Sequence, residues 1–119
     1  MAKQKAPAIL RALGHPQRIQ ILDMLATGEK CVCEMLPVLN APQPNISQHL
    51  IVLRAAGIVE SERRGSNVYY WLTAPEISQV VNAVRRIAGD PIPEPYQPLS
   101  NPCTEVNAQV EISPTSREE

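Results

Sequence analysis

Three cysteines occur in the 119 residues, and two of them, Cys31 and Cys33, stand one residue apart in the stretch KCVCEML. Thiols this close can hold a soft or thiophilic ion as thiolates, exchange electrons with another thiol, or pack as small hydrophobes. The third, Cys103, lies far downstream in a different kind of segment. An odd and low cysteine count does not make a disulfide scaffold and fits a reducing, cytoplasmic setting. Within a regular helix, residues i and i+2 point about 200° apart and cannot share one ion. The order Cys31-Val32-Cys33-Glu34 removes that obstacle, because it resembles a capping box with cysteine in the Ser/Thr place and Glu34 at the fourth position. A residue at the cap is not helical, so both sulfurs can converge. A helix start, with Lys30 alongside, also favours the thiolate.

The elements that must position these thiols follow from periodicity. Ile9 and Leu13 mark a short first helix, and HPQRIQILDMLATG continues with Pro16 in a first-turn place, Ile19 and Leu22 on one side, and Gly28 as terminator. After the cysteine segment, QPNISQHLIVLRAAG sets Ile46, Leu50 and Leu53 at i, i+4 and i+7, with Gly57 ending the run. IVESERRGSNVYYWL then changes period and reads as a small β-hairpin turning at Gly65, Ser66 and Asn67. PEISQVVNAVRRIA closes the body with an apolar stripe of Ile77, Val80, Val81, Val84 and Ile87. This order, mainly α with one hairpin, is that of a winged helix-turn-helix domain over residues 1–88. From Gly89 the composition shifts: six of the twelve prolines fall in the last 31 residues. Residues 89–119 are therefore expected to form an extended arm that carries Cys103.

Net charge is −1, but it is unevenly placed. Residues 1–88 hold ten Lys/Arg against six Asp/Glu, whereas 89–119 hold one against six. A mildly basic body with an acidic tail is compatible with a DNA partner. No stretch has the apolar length of a membrane helix, and no membrane partner is expected. With Ile46, Leu50 and Leu53 inward, Asn45, Gln48 and Val52 turn outward and Ser47 and His49 lie on the flanks; Gln43 is a further candidate DNA contact. Amide side chains can pair with adenine in the major groove of operator double-stranded DNA, and Arg63 and Arg64 at the hairpin tip suit phosphate or the minor groove. One such domain covers one half-site, so a homodimer is expected. Ile9, Leu13, Ile77, Val80, Val81 and Val84, on the first and last helices, supply its apolar surface.

The segment EKCVCEMLPVLNAPQPNISQHLIVLRAAGIVESERRGSNVYYWL resembles the ArsR/SmtB family of metalloregulatory repressors, and the likeness covers about residues 8–88. It implies a homodimeric repressor that leaves its operator when a thiophilic ion binds, with Cys31 and Cys33 as two ligands. Where arsenic-sensing members often have a third cysteine in the same helix, this chain has Leu36 and Pro37; the last helix lacks the His and acidic ligands of a zinc site. Cys103 is then the remaining candidate, within reach along an arm that spans on the order of 45 Å from Gly89 when extended. Three sulfurs with no histidine suit As(III) or Sb(III), whose lone pair takes the fourth direction, ahead of Cd(II) or Pb(II). A thiol redox or persulfide switch joining Cys103 to Cys31 or Cys33 is the alternative on the same scaffold. A thiol enzyme such as an arsenate reductase is not supported, because KCVCEMLPVLN has neither the glycines nor the arginine of an oxyanion cradle.

Overall fold

The computed structural model describes residues 4–96. Its elements are α1 (Ala6–Leu13), α2 (Pro16–Leu25), β1 (Lys30–Cys31), α3 (Val32–Leu39), α4 (Gln43–Ala55), β2 (Val59–Arg64), β3 (Asn67–Leu72) and α5 (Glu76–Ala88). Three of the helix boundaries show a clear local cause. His15, in extended conformation, caps α2 by accepting the Gln17 amide on Nδ1 at 3.0 Å, and Pro16 occupies a first-turn position where no amide partner is lost. Asn40 takes a left-handed conformation (φ 53) to end α3, and Gly89 does the same (φ 78) for α5.

The expected two-stranded hairpin is a three-stranded antiparallel sheet in the order β1-β3-β2. Lys30 pairs with Tyr70 and Cys31 with Tyr69, which adds the cysteine segment to the edge of the wing. Two residues are too short for an alternating pattern to announce a strand, so only the ladder to β3 reveals it. In the β2–β3 turn, Gly65 alone has positive φ (64), as a two-residue turn with glycine first requires.

The core is one cluster. Ile46, Leu50 and Leu53 of α4 meet Ile21, Leu22, Met24 and Leu25 of α2, Met35 and Leu39 of α3, and Ile58 and Val59 at the start of the wing. The apolar stripe of α4 thus holds this helix against α2, α3 and the start of the wing. Truncating Leu53, which is 0% exposed, to alanine is expected to cost about 2–5 kcal/mol of stability. A thermal melt should fall by on the order of 10 °C or more; a smaller shift than half of that would mean that the helix is held by something other than this stripe. On the far side, Arg85 of α5 grips Asp23 of α2 through both terminal nitrogens, at 3.0 and 2.6 Å, and ties these two helices together. Among the described residues, no helix is long and apolar enough to cross a membrane.

Candidate metal centre and nucleic-acid interface

Cys31 is the cap residue of α3, with φ −91 and ψ 164, and Glu34 Oε1 accepts its backbone amide at 2.9 Å. The extended backbone at the cap turns the Cys31 side chain toward that of Cys33. Their Cα atoms are 5.4 Å apart, and in this structure the two sulfurs are bonded to each other. Both cysteines are buried, with Tyr69 of β3 packed against them. Pro37 inside α3 lacks the amide that the Cys33 carbonyl would otherwise accept four residues on. Cys103 lies outside the described residues. Among the described residues no group of three His, Cys, Asp or Glu could hold a metal ion, so the convergent pair is two thirds of the predicted ligand set.

The pair borders a cleft of about 310 Å³ lined by Val32 and Leu36 of α3, Gln43 and Ser47 of α4, and Arg63, Ser66, Asn67, Val68 and Tyr70 of the wing. Residues expected to sense and residues expected to read DNA therefore line one space. Lys30, which sequence reasoning treated only as a charge beside the thiols, is 4% exposed. Its Nζ donates to Thr27 Oγ1 at 3.2 Å and to the Gly28 carbonyl at 3.1 Å.

On α4, Gln43, Asn45 and Gln48 are exposed, and Ser47 and His49 are half-buried on the flanks. Val52 is a correction: it packs against the core, and Ile51 is the exposed apolar residue beside it. Asn45, Gln48 and His49 share a groove with His15 and Gln17 from the start of α2. Sequence reasoning missed these last two and Arg18; the only signal was the HPQR opening, in which the cap histidine and two polar residues face across to α4. The His15 and His49 rings lie 4.4 Å apart, and Arg18 Nη1 is 3.4 Å from His49 Nδ1. Arginine can only donate, so His49 Nδ1 accepts and Nε2 carries the proton. Burial, then His15, then Arg18 hold the His49 pKa below its usual 6.5. On acidification the unfolded chain takes up that proton first, so the stability linked to His49 is complete above pH 6.5 and is lost as pH falls through the folded value. A denaturation midpoint measured at pH 7.5 and 5.5 should drop, and His49→Asn should flatten the drop; an equal slope in both proteins would remove His49 from this role.

The two wing arginines differ. Arg64 bonds Glu29 and Glu62, and its guanidinium lies 4.9 Å over the Tyr69 ring. Those carboxylates raise its pKa, and Arg64 in turn holds Glu29 below the usual carboxylate range. Arg63 is exposed, lines the cleft, and makes no ion pair among the described residues. Arg63→Ala is expected to weaken operator binding uniformly across sequences and lower the salt slope by about 1, whereas Arg64→Ala should change it less. Anisotropy titrations at several salt concentrations read both; equal effects would show that Arg64 leaves its carboxylates to bind phosphate.

The expected dimer residues divide. Leu13 and Val81 belong to the core of the subunit, and Ile9 and Ile77 are half-buried against it. Val80 and Val84 are exposed at 41% and 52%, and Leu10 at 62% and Ile87 at 85% join them as apolar surface.

Residues 15–61 match the arsR family of bacterial regulatory proteins. An uncharacterized HTH-type transcriptional regulator of Methanocaldococcus jannaschii is 38% identical over 82 residues, 68% of this chain and 92% of that protein. The transcriptional repressor SmtB of Mycobacterium tuberculosis is 42% identical over 88 residues, 73% of this chain and 65% of its own length. An arsenic resistance transcriptional regulator of Pseudomonas putida is 42% identical over 79 residues, 66% of this chain and 61% of its own. Among solved structures, HlyU from Vibrio cholerae superposes with a TM-score of 0.63 at 32% identity, covering 72% of this chain and 94% of that one. A homodimeric winged helix-turn-helix DNA-binding domain from Mycobacterium bovis gives 0.64 at 28% identity, over 75% and 91%. With nearly the whole of a relative matched and a winged helix-turn-helix built around the α4 stripe, this chain belongs to the ArsR/SmtB family of transcriptional regulators.

Proposed function

We propose that the chain is a metal(loid)-responsive repressor. Two copies hold an operator through paired α4 helices and wings, and they release it when As(III) or Sb(III) is taken by Cys31, Cys33 and Cys103. The observation that carries this is the cap of α3: it turns two sulfurs to one point on the wall of a cleft shared with Gln43, Ser47 and Arg63. Family membership supports a response to metal ions, and the arsenic resistance regulator among the relatives supports the choice of ion. The donor set fits. Three reduced thiols exchange with the hydroxyls of arsenous acid, each S–H proton leaving with a hydroxyl as water, and three As–S bonds result. Drawing the sulfurs and the arm together shifts the start of α3, and with it the cleft wall formed by α4 and the wing. A coupling of about 1–3 kcal/mol lowers operator affinity roughly 5- to 150-fold. The homodimer of the Mycobacterium bovis domain and the outer face of Leu10, Val80, Val84 and Ile87 support a two-fold interface through α1 and α5.

Fluorescence anisotropy on a palindromic operator, under strict reduction and with arsenite, cadmium, lead or zinc, tests the reading. Release by arsenite is expected, with cadmium and lead weaker and zinc inert. The bonded sulfurs favour a second reading, a thiol redox switch, since closing Cys31–Cys33 with a peroxide removes both ligands: two thiols lose two protons and two electrons, and the peroxide leaves as two waters. A redox switch stays silent to arsenite under reduction and responds to peroxide alone, so the same titration separates them.

A further inference from the structure

The opening of α2 stands on the same face of the molecule as the outward side chains of α4. His15 and Gln17 line one groove of about 550 Å³ with Asn45, Gln48 and His49, and no carboxylate borders it. Gln17 is already engaged, because its side-chain nitrogen donates to the Leu39 carbonyl at 3.5 Å. The two imidazoles still have a donor to give. His15 Nδ1 accepts the Gln17 amide and His49 Nδ1 accepts from Arg18, so the neutral rings both carry their proton on Nε2. Neither Nε2 has a hydrogen-bond partner among the described residues. Burial, then the charges of His15 and Arg18, disfavours a second proton on His49.

Behind the rings lies a positive charge with no counter-charge. Arg18 bonds only uncharged acceptors: the Ala12 carbonyl at 2.6 Å, the Arg11 carbonyl at 3.5 Å and the His49 ring at 3.4 Å. It makes no ion pair among the described residues. A metal cation would meet this guanidinium directly behind His49, so the histidine pair is not built for one. Two N–H donors backed by an uncompensated positive charge suit an anion. With ring centroids 4.4 Å apart, they are close enough to share a single one.

We propose that His15 and His49, each through Nε2–H, hold one backbone phosphate of the operator, which makes the start of α2 a DNA-contacting element beside α4. The inference rests on operator binding by the family and is independent of the arsenic reading. Arg18 is the positioning residue: it fixes the His49 tautomer and supplies the charge without itself touching the phosphate. Contacts of this kind carry no base sequence but set register and orientation on the duplex. His15 therefore helps to decide where Asn45 and Gln48 meet the bases.

The test compares the full-length wild type with His15→Asn and His15→Asp by anisotropy on a palindromic operator duplex at fixed salt. Asparagine and aspartate cap a helix about equally well, so both variants keep the start of α2 while lacking Nε2. Their melting temperatures should stay close to that of the wild type. Operator affinity is expected to fall at least about 10-fold in His15→Asn, as for the loss of one hydrogen bond to a charged group, and further in His15→Asp, whose carboxylate faces the phosphate. The operator is then remade with a methylphosphonate at each position of the half-site in turn. At one position the wild type should lose about 10-fold and His15→Asn nothing more, a coupling that a histidine acting only as a helix cap cannot produce. Equal penalties in both proteins at every position would overturn the proposal, as would His15→Asp binding as tightly as His15→Asn. Should the His15 variants not fold, His49→Asn takes the same scan, since its side-chain oxygen can replace Nδ1 opposite Arg18 while Nε2 is lost. Its penalty should vanish at a single position, and a scan without such a position overturns the contact.

Discussion

Cys31→Ser will bind operator as tightly as the wild type, within about 2-fold, and will not release it at any arsenite concentration that frees the wild type. Serine is a better helix cap than cysteine, so the start of α3 and the amide bond to Glu34 survive the change. What is lost is one soft donor of the three proposed, and two sulfurs with one hydroxyl no longer close around a thiophilic ion. The expected loss is the whole coupling, from roughly 5- to 150-fold weakening down to none. Cys33→Ser will lose the response equally, but it also places a hydroxyl at a site only 6% exposed, at a stability cost of about 1–3 kcal/mol if that hydroxyl finds no partner. Anisotropy titrations read both variants. Arsenite-driven release from Cys31→Ser would remove the α3 cap from the sensing site.

Val84→Asp will turn the protein into a folded monomer with operator affinity at least about 100-fold weaker. Val84 is 52% exposed in the subunit, so the carboxylate stays solvated in the monomer and the melting temperature should move little. In a two-fold interface the same carboxylate would face its own copy among Leu10, Val80 and Ile87, where an unpaired charge is expensive. A monomer keeps one half-site, and most of the affinity of the paired site goes with the second. Light scattering after size exclusion gives the mass, and anisotropy gives the affinity. A dimer that persists in Val84→Asp would place the interface elsewhere. Val81→Asp, one turn earlier on the inner side and 4% exposed, is expected to unfold the subunit instead, and that contrast separates outer from inner face on a single helix.

Much of the candidate site was legible because its signals are local. Spacing alone placed Ile46, Leu50 and Leu53 inward and Asn45 and Gln48 outward, since a helix repeats every 3.6 residues whatever it packs against; it also placed Val52 outward, where tertiary packing covers it instead. The cap role of Cys31 was likewise readable, because a capping box is a four-residue pattern. Which apolar residues of α5 stay outside was not readable. Periodicity finds a stripe, but only the position of α2, set in part by Asp23 and Arg85, decides that Val81 is covered while Val80 and Val84 are not.

By itself the sequence determined the order of helices and wing, the inner stripe of the reading helix, and two thiols held at a helix cap. All of these depend on residues within a turn or two of one another. Tertiary structure alone decided that Lys30 and Cys31 form a strand on β3, that Arg64 is spent on Glu29 and Glu62 while Arg63 is not, that His15 and Arg18 join His49, and that the arm returns to place Tyr96 on Lys30. Apart from Arg64–Glu62, two residues apart within β2, each of those contacts joins residues remote in the chain, where neither propensity nor spacing carries information and only packing brings the partners together.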